Sequence, residues 1–117
     1  MKTILVVEDV ELNIDLLTQL LEDEYSLLIA MDGASGVAMA EESLPDLVIM
    51  DIALPIMDGY EATRRIRQKF PSMPIIGLSS HAMSGDAEKA RAAGCNEYLT
   101  KPVDEDLLLG TLRRYLG

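Results

Sequence analysis

The sequence has little of what would mark a secreted or membrane protein. Its 117 residues include one cysteine, Cys95, so no internal disulfide can form, which favours a reducing compartment. No apolar run approaches the roughly 18 residues needed to span a membrane. The apolar run near the N-terminus is short, ends in Glu8 and Asp9, and has no signal-peptide cleavage site. These absences predict a cytoplasmic protein that does not enter a membrane.

Basic residues are also scarce. Lysine and arginine number 10 against 20 acidic residues, which gives a net charge of −10. Direct binding to nucleic acid would require a basic stripe on the surface. The densest basic group is Arg64, Arg65 and Arg67, which we interpret as the solvated face of a helix. We therefore expect no direct contact with nucleic acid.

The pattern that is present is an alternation of short apolar runs with amphipathic segments. Most of the runs are continuously apolar, which is typical of strands buried on both faces. The predicted strands are Ile4–Val7, Ser26–Ala30, Leu47–Met50, Ile75–Leu78 and Tyr98–Thr100. The helical spacing between them predicts helices at about Leu12–Glu22, Ala34–Ser43, Gly59–Lys69, Ser84–Ala93 and Asp104–Leu116.

Five β-α units in one chain predict an α/β domain with a parallel, doubly wound sheet and helices on both faces. Five strands are too few for an eight-stranded barrel, so the sheet is open. Residues 1–117 contain no repeat, linker or low-complexity stretch, and they form one predicted domain without an output domain. Within it, Asp58 is the expected N-cap of the third helix and Gly94 the C-cap of the fourth. The apolar face of the first helix is expected to consist of Leu16, Leu17, Leu20 and Leu21.

The side chains that could bind a ligand or react lie at the ends of the predicted strands. Glu8 and Asp9 follow strand one, and Asp51 stands at the end of strand three. Ser79 and Ser80 stand at the end of strand four, and Lys101 follows strand five. Parallel strands bring their carboxyl ends to one edge of the sheet, where ligands bind in such folds. The sequence therefore predicts three carboxylates, one or two hydroxyls and an ammonium at one edge of the sheet.

Carboxylates this close together must take up protons or share a cation. Magnesium suits such a site because it uses one or two carboxylates together with phosphate oxygens. One carboxylate is then free to attack a phosphoryl group and form an acyl phosphate. The ammonium and the hydroxyl would contact the phosphoryl oxygens.

Four segments that contain these residues resemble the signature blocks of response-regulator receiver domains. They are Val6–Asp9, Ile49–Gly59, Ile76–Met83 and Tyr98–Pro102. The resemblance extends over essentially the whole chain, and includes stand-alone regulators and the receiver segments of hybrid histidine kinases. It implies a flavodoxin-like (βα)5 fold with strand order 2-1-3-4-5. The leading Met1 favours a whole protein over a segment of a hybrid kinase.

The resemblance also implies a role for each acid. Asp51 would be the phosphoacceptor. Asp9, Asp51 and the backbone carbonyl of Ala53 would bind Mg²⁺ or Mn²⁺ directly, and Glu8 would act mainly through a metal-bound water. Glu8 stands where many members of the family have Asp, and its longer side chain bears on metal affinity.

Further roles are implied for the other side chains. Ser79 would be the switch hydroxyl, Lys101 the lysine that pairs with the phosphate, and Tyr98 the aromatic switch residue. The Lys101–Pro102 peptide bond would be cis. Ser80 and Ala53 differ from common residues at their positions in ways that bear on the lifetime of the phosphate.

The implied function is a phosphorylation-dependent signalling switch rather than an enzyme. Its phosphoryl donor would be a phosphohistidine on a histidine kinase or a histidine phosphotransfer protein, and its downstream target is a protein that the sequence does not identify. Ile14 and Leu107 are candidate docking contacts, although scattered exposed apolar residues are normal. We interpret His81 as a variable surface residue and Cys95 as a small buried side chain in a loop.

Three alternatives share parts of the pattern. A flavin-binding protein of this architecture would need a phosphate-binding loop where Glu8 and Asp9 stand. A haloacid-dehalogenase phosphatase would carry an Asp-x-Asp pair at the end of strand one. The third alternative is a receiver-like interaction module that is not phosphorylated. Some such modules lack a metal-binding acid, the phosphoacceptor or the lysine, and this chain has all of them.

Overall fold

The computed structural model describes residues 1–80 and 85–117. The strands are β1 Thr3–Val7, β2 Ser26–Ala30, β3 Leu47–Asp51, β4 Ile75–Ser79 and β5 Glu97–Thr100. The helices are α1 Glu11–Leu21, α2 Gly33–Ser43, α3 Gly59–Lys69, α4 Asp86–Ala93 and α5 Glu105–Leu116. Every predicted strand and helix is found, and their ends differ from the predicted ones by at most two residues. His81 and the predicted helix start at Ser84 lie outside the described residues.

The five strands form one parallel sheet in the order β2-β1-β3-β4-β5, which confirms the predicted topology. The register aligns the strand ends that carry the candidate site. Asp51 at the end of β3 pairs with Leu78, and Ser79 at the end of β4 pairs with Thr100. The carboxyl ends of the central strands therefore lie level with one another.

The core has two layers because helices cover both faces of the sheet. Leu5 and Val7 of β1 point into the layer under α2, α3 and α4, whereas Ile4 and Val6 point into the layer under α1 and α5. All four side chains are fully buried. This explains why the strands have continuous apolar runs instead of alternating ones.

Local capping agrees with the sequence at two positions and corrects it at a third. Asp58 caps α3, since its carboxylate accepts the Glu61 N–H at 3.0 Å. Gly94 ends α4 with φ +119°, a left-handed conformation that favours glycine. Asp104, predicted as the first residue of α5, is its N-cap, because its carboxylate accepts the backbone N–H of Leu107 at 3.0 Å.

The prediction of a solvated arginine face is wrong for Arg67. Arg64 and Arg65 are exposed on α3. The half-buried guanidinium of Arg67 instead donates to the carbonyl oxygen of Gly94 at 2.6 Å and to the Asn96 side-chain oxygen at 2.8 Å. Arg67 therefore ties α3 to the loop between α4 and β5.

Two further predictions concern individual apolar side chains. Cys95 is buried in the loop after α4, as predicted. Leu17 and Leu21 are buried on α1, but Leu16, assigned to the same apolar face, is 51% exposed. No helix within residues 1–80 and 85–117 is both long and apolar enough to cross a membrane.

Candidate active site at the carboxyl edge of the sheet

Backbone hydrogen bonds bring the candidate residues to one edge of the sheet. The Glu8 N–H extends the pairing of β1 by donating to the Ala30 carbonyl at 2.9 Å. The Lys101 N–H does the same beyond β5, donating to the Ser79 carbonyl at 2.8 Å. Glu8, Asp51 and Lys101 consequently meet although they are far apart in sequence.

Lys101 lies between two buried carboxylates. Its Nζ is 2.6 Å from Glu8 Oε1 and 3.3 Å from Asp51 Oδ1. The exposed fractions of Glu8 and Asp51 are only 1% and 5%. A buried carboxylate without a partner is strongly destabilising, so the ammonium is required to keep both acids charged in the interior.

The second oxygen of Glu8 has partners of its own. Oε2 accepts the backbone N–H of Asp9 at 2.9 Å and that of Val10 at 3.2 Å. Together with Lys101, three donors therefore fix the Glu8 carboxylate at the start of the loop between β1 and α1.

The three acids also form a possible cation site. Glu8, Asp9 and Asp51 each offer one carboxylate oxygen within 4.8 Å of the others. Asp9 is only half-buried, so the cluster opens to solvent on its side. An all-oxygen donor set of this charge fits a hard divalent cation such as Mg²⁺. Ala53, the third predicted ligand, lies two residues after Asp51 in the exposed part of the loop between β3 and α3.

Burial and neighbouring charges shift the pKa values of Asp51, Glu8 and Lys101 in different directions. Burial and the negative charge of Glu8 raise the pKa of Asp51 to about 6, against the opposing effect of Lys101. For Glu8, burial raises the pKa, but hydrogen bonds from Lys101 and Val10 and the lysine charge outweigh it and leave the pKa lowered. For Lys101, burial lowers the pKa, but the two carboxylates outweigh burial and raise it. Asp51 is thus ionised at neutral pH and still titrates near it.

Two glycines that sequence reasoning missed hold the loop after Asp51. A Cβ on Gly59 would lie 2.2 Å from the Asp51 carbonyl oxygen and 2.7 Å from Ile52 Cα. A Cβ on Gly33 would lie 1.9 Å from the Met57 carbonyl oxygen. The first residues of α3 and α2 therefore pack directly on the backbone that carries the candidate phosphoacceptor. Because this requirement arises from chain segments in contact, no sequence signal beyond the presence of glycine could have revealed it.

The predicted switch residues lie on the same side of the sheet. Ser79 is the last residue of β4 and is buried. Tyr98 on β5 is half-buried and pairs with Gly77 of β4. A Cβ on Gly77 would lie 3.7 Å from Tyr98 Cδ1, an ordinary contact distance, and a tighter 3.2 Å from Cys95 Sγ. The predicted cis bond between Lys101 and Pro102 is present.

An apolar groove lies beside the acidic cluster, between α1 and the loop that leads into α5. Leu16, Leu20, Leu78 and Val103 contribute to a cavity of about 360 Å³, and Glu8 and Lys101 border it. Of the predicted docking residues, Leu107 is 55% exposed on α5, whereas Ile14 is half-buried. The exposed Leu16, which sequence reasoning assigned to the core, is thus a better candidate contact than Ile14.

The chain is similar to known proteins over nearly its full length. The family model for the response regulator receiver domain matches residues 4–113. The chain is 35% identical over 119 residues to the polar-differentiation response regulator DivK of Brucella ovis, covering 99% of this chain and 97% of that protein.

Solved structures agree with this finding. The receiver domain of sensor histidine kinase PA1611 from Pseudomonas aeruginosa PAO1, which has magnesium in its active-site cleft, matches with a TM-score of 0.90 and 38% identity, covering 97% of this chain and 96% of that one. The Vibrio cholerae chemotaxis protein CheY4 matches with a TM-score of 0.91 and 28% identity over 99% of both chains. The chain therefore belongs to the response regulator receiver domain family, the phosphorylation-dependent signalling switches of two-component systems.

Proposed function

We propose that Asp51 is the phosphoacceptor of this switch. The observation that carries the proposal is the position of its carboxylate, which is buried at the end of β3 with the Lys101 ammonium 3.3 Å away and two further acids within reach. Burial and the charge of Glu8 raise the pKa of Asp51 to about 6, so its oxygen is more basic than that of an ordinary carboxylate and is still ionised at pH 7. Those are useful properties for a nucleophile.

Asp9, Asp51 and the carbonyl of Ala53 would hold Mg²⁺ or Mn²⁺, with Glu8 contributing charge nearby. When bound, the cation supplies charge neutralisation between the acids and an incoming phosphoryl group. The chain's own residues supply the rest. Lys101 offers an ammonium to a phosphoryl oxygen, and Ser79 offers a hydroxyl from the adjacent strand end.

The proposed donor is a phosphohistidine on a histidine kinase or a histidine phosphotransfer protein. An Asp51 oxygen attacks phosphorus, a P–O bond forms, the P–N bond breaks, and the imidazole nitrogen keeps the bonding pair. The phosphoryl group stays on the domain itself until water hydrolyses it. Residues 1–117 therefore act as one self-assisting receiver unit, not as an enzyme that turns over an external substrate.

Docking of the donor is proposed at the groove beside the site. The exposed Leu16 and the half-buried Leu20 present apolar surface within reach of Glu8 and Lys101. The single buried cysteine suits the reducing cytoplasm, where we place the protein. The downstream target would be a protein that binds the face altered by phosphorylation.

Phosphorylation is expected to depend on the divalent cation. Incubation with acetyl phosphate and Mg²⁺ should add one phosphoryl group to the protein, measured by intact mass, and an excess of EDTA should prevent it. Mg²⁺ should also lower the pKa of Asp51 from its metal-free value of about 6, because a nearby cation favours the ionised form. Carboxyl-carbon NMR titration measures this change. Equal rates with Mg²⁺ and with EDTA would contradict the proposed metal site.

The switch itself is expected to pass from Ser79 to Tyr98. The hypothesis is that Ser79 moves towards the phosphoryl oxygens, and that Tyr98 turns from a more exposed to a more buried position in the space that Ser79 vacates. A beryllofluoride phosphate mimic should shift the amide NMR signals of both residues, and Ser79→Ala should remove most of the shift at Tyr98. The matched control is Ser72→Ala, an exposed serine in the turn before β4. Unchanged Tyr98 signals in the wild-type protein would refute the hypothesis.

A further inference from the structure

Glu8 is held more completely than a carboxylate that serves only as a metal ligand needs to be. A carboxylate has about four acceptor sites. The protein's own donors occupy three of those on Glu8: Lys101 Nζ at 2.6 Å on Oε1, and the N–H groups of Asp9 and Val10 at 2.9 and 3.2 Å on Oε2. The side chain is 1% exposed. Its main contacts are therefore inside the protein.

The shortest ionic contact of Lys101 is with Glu8. The distance from Nζ to the Glu8 oxygen is 2.6 Å, against 3.3 Å to the Asp51 oxygen. Charge-assisted hydrogen bonds are short, at about 2.7–2.9 Å, so the contact with Glu8 is the stronger one, and Asp51 is a second, more distant partner of the ammonium. A lysine has three N–H donors on a flexible stem, and it needs such an anchor to keep one of them directed at Asp51.

We propose that Glu8 is the positioning residue for Lys101. The N–H groups of Asp9 and Val10 fix the Glu8 carboxylate to the loop after β1. The contact with Lys101 links that carboxylate to the loop after β5, across the ends of β3 and β4, which lie between β1 and β5 in the sheet. This bridge keeps the ammonium within reach of Asp51 before a phosphoryl group arrives. The inference rests on the proposed function, since it is the phosphoryl group on Asp51 that the positioned ammonium would serve.

The length of the Glu8 side chain makes the inference specific. Aspartate at this position would place its carboxylate one methylene nearer to β1 and away from Lys101. It would keep the negative charge near the cation site but weaken the bridge. The two functions that an acid could have here, attraction of a metal and positioning of the lysine, can therefore be separated by substitution.

The test measures the accessibility of Lys101 in metal-free protein, which requires neither Mg²⁺ nor phosphorylation. Lysines are labelled at low conversion by reductive methylation in EDTA, and the rate at Lys101 is divided by that at the exposed Lys89. Glu8→Gln should raise this ratio by roughly tenfold, the size expected for losing one charge-assisted hydrogen bond. Glu8→Asp should raise it less, and it also tests the inference if the glutamine variant does not fold.

The matched control is Glu11→Gln, which removes the same charge from the exposed first turn of α1. Its labelling ratio should equal that of the wild type. At saturating Mg²⁺, Glu8→Asp should slow phosphorylation by acetyl phosphate, whereas Glu11→Gln should be phosphorylated at the wild-type rate. A labelling ratio in both Glu8 variants equal to that of Glu11→Gln would overturn the inference. If instead the proposed function fails, the wild type gains no phosphoryl group while the labelling result is unaffected.

Discussion

Replacing Asp51 with asparagine is expected to abolish phosphorylation. The asparagine side chain has almost the same shape but no nucleophilic oxygen, so acetyl phosphate and Mg²⁺ should add one phosphoryl group to the wild type and none to Asp51→Asn. Intact-mass measurement decides the result. The control is Asp23→Asn, which removes the same charge from an exposed turn after α1, at the opposite edge of the sheet. It should be phosphorylated like the wild type.

If Asp51→Asn gains a phosphoryl group to the same extent as the wild type, the acceptor is another residue. If neither the wild type nor Asp51→Asn is phosphorylated while Mg²⁺ binding is intact, the result would favour the receiver-like interaction module. That module would share the fold and the acidic cluster but would not form an acyl phosphate.

The same substitution is expected to stabilise the metal-free protein at pH 8. The pKa of Asp51 is about 6 in the folded state, against an ordinary value of 3.8. Because the folded pKa is raised, stability is greatest below the unfolded value and falls as pH rises from about 4 to about 6. The difference corresponds to a cost on the order of 2–3 kcal/mol above pH 6, which asparagine removes.

Urea unfolding in EDTA measures this effect. Asp51→Asn should have the higher free energy of unfolding at pH 8, and the difference from the wild type should shrink as the pH approaches 4. Lys101 keeps its 2.6 Å contact with Glu8 in the variant, so the substitution does not leave that ammonium unpaired. If the variant is less stable than the wild type at pH 8, the ionised Asp51 carboxylate does not destabilise the folded protein and the prediction is wrong.

Replacing Gly59 with alanine is expected to damage both stability and the site. The added Cβ would meet the Asp51 carbonyl oxygen at 2.2 Å and Ile52 Cα at 2.7 Å. Both are backbone atoms, so α3 must move away from β3 to relieve the overlap. Overpacking costs about 1–3 kcal/mol, and we expect the upper end of that range here because the overlap is with backbone. Urea unfolding should show that loss, and phosphorylation by acetyl phosphate should slow because the loop after Asp51 is displaced.

The chain offers a matched control in Gly110→Ala. Gly110 lies within α5, is exposed, and has no atom within 4 Å of the position that a Cβ would take. Alanine there should stabilise the protein by about 1 kcal/mol because it is the better helix former. Opposite signs for the two glycine-to-alanine substitutions are expected, and equal effects would contradict the close packing of α3 on Asp51.

The order of elements could be predicted because the information is local. Apolar periodicity identifies each strand and helix from neighbouring residues, and the capping role of Asp58 depends on a residue only three positions away. The assignment failed where a neighbour distant in sequence decides. Arg67 has the spacing of a surface residue, yet Gly94 and Asn96 accept hydrogen bonds from it across the gap between α3 and the loop before β5.

The candidate site divides in the same way. That Glu8, Asp9, Asp51, Ser79 and Lys101 meet at one edge follows from the sequence, because parallel strands bring their carboxyl ends together. The sequence does not show which of these groups contact one another, because that depends on differences of less than an ångström in the distances between side chains on different strands. Only the tertiary structure decided that Lys101 lies nearer Glu8 than Asp51, that Gly59 must lack a side chain, and that Leu16 faces a groove instead of the core.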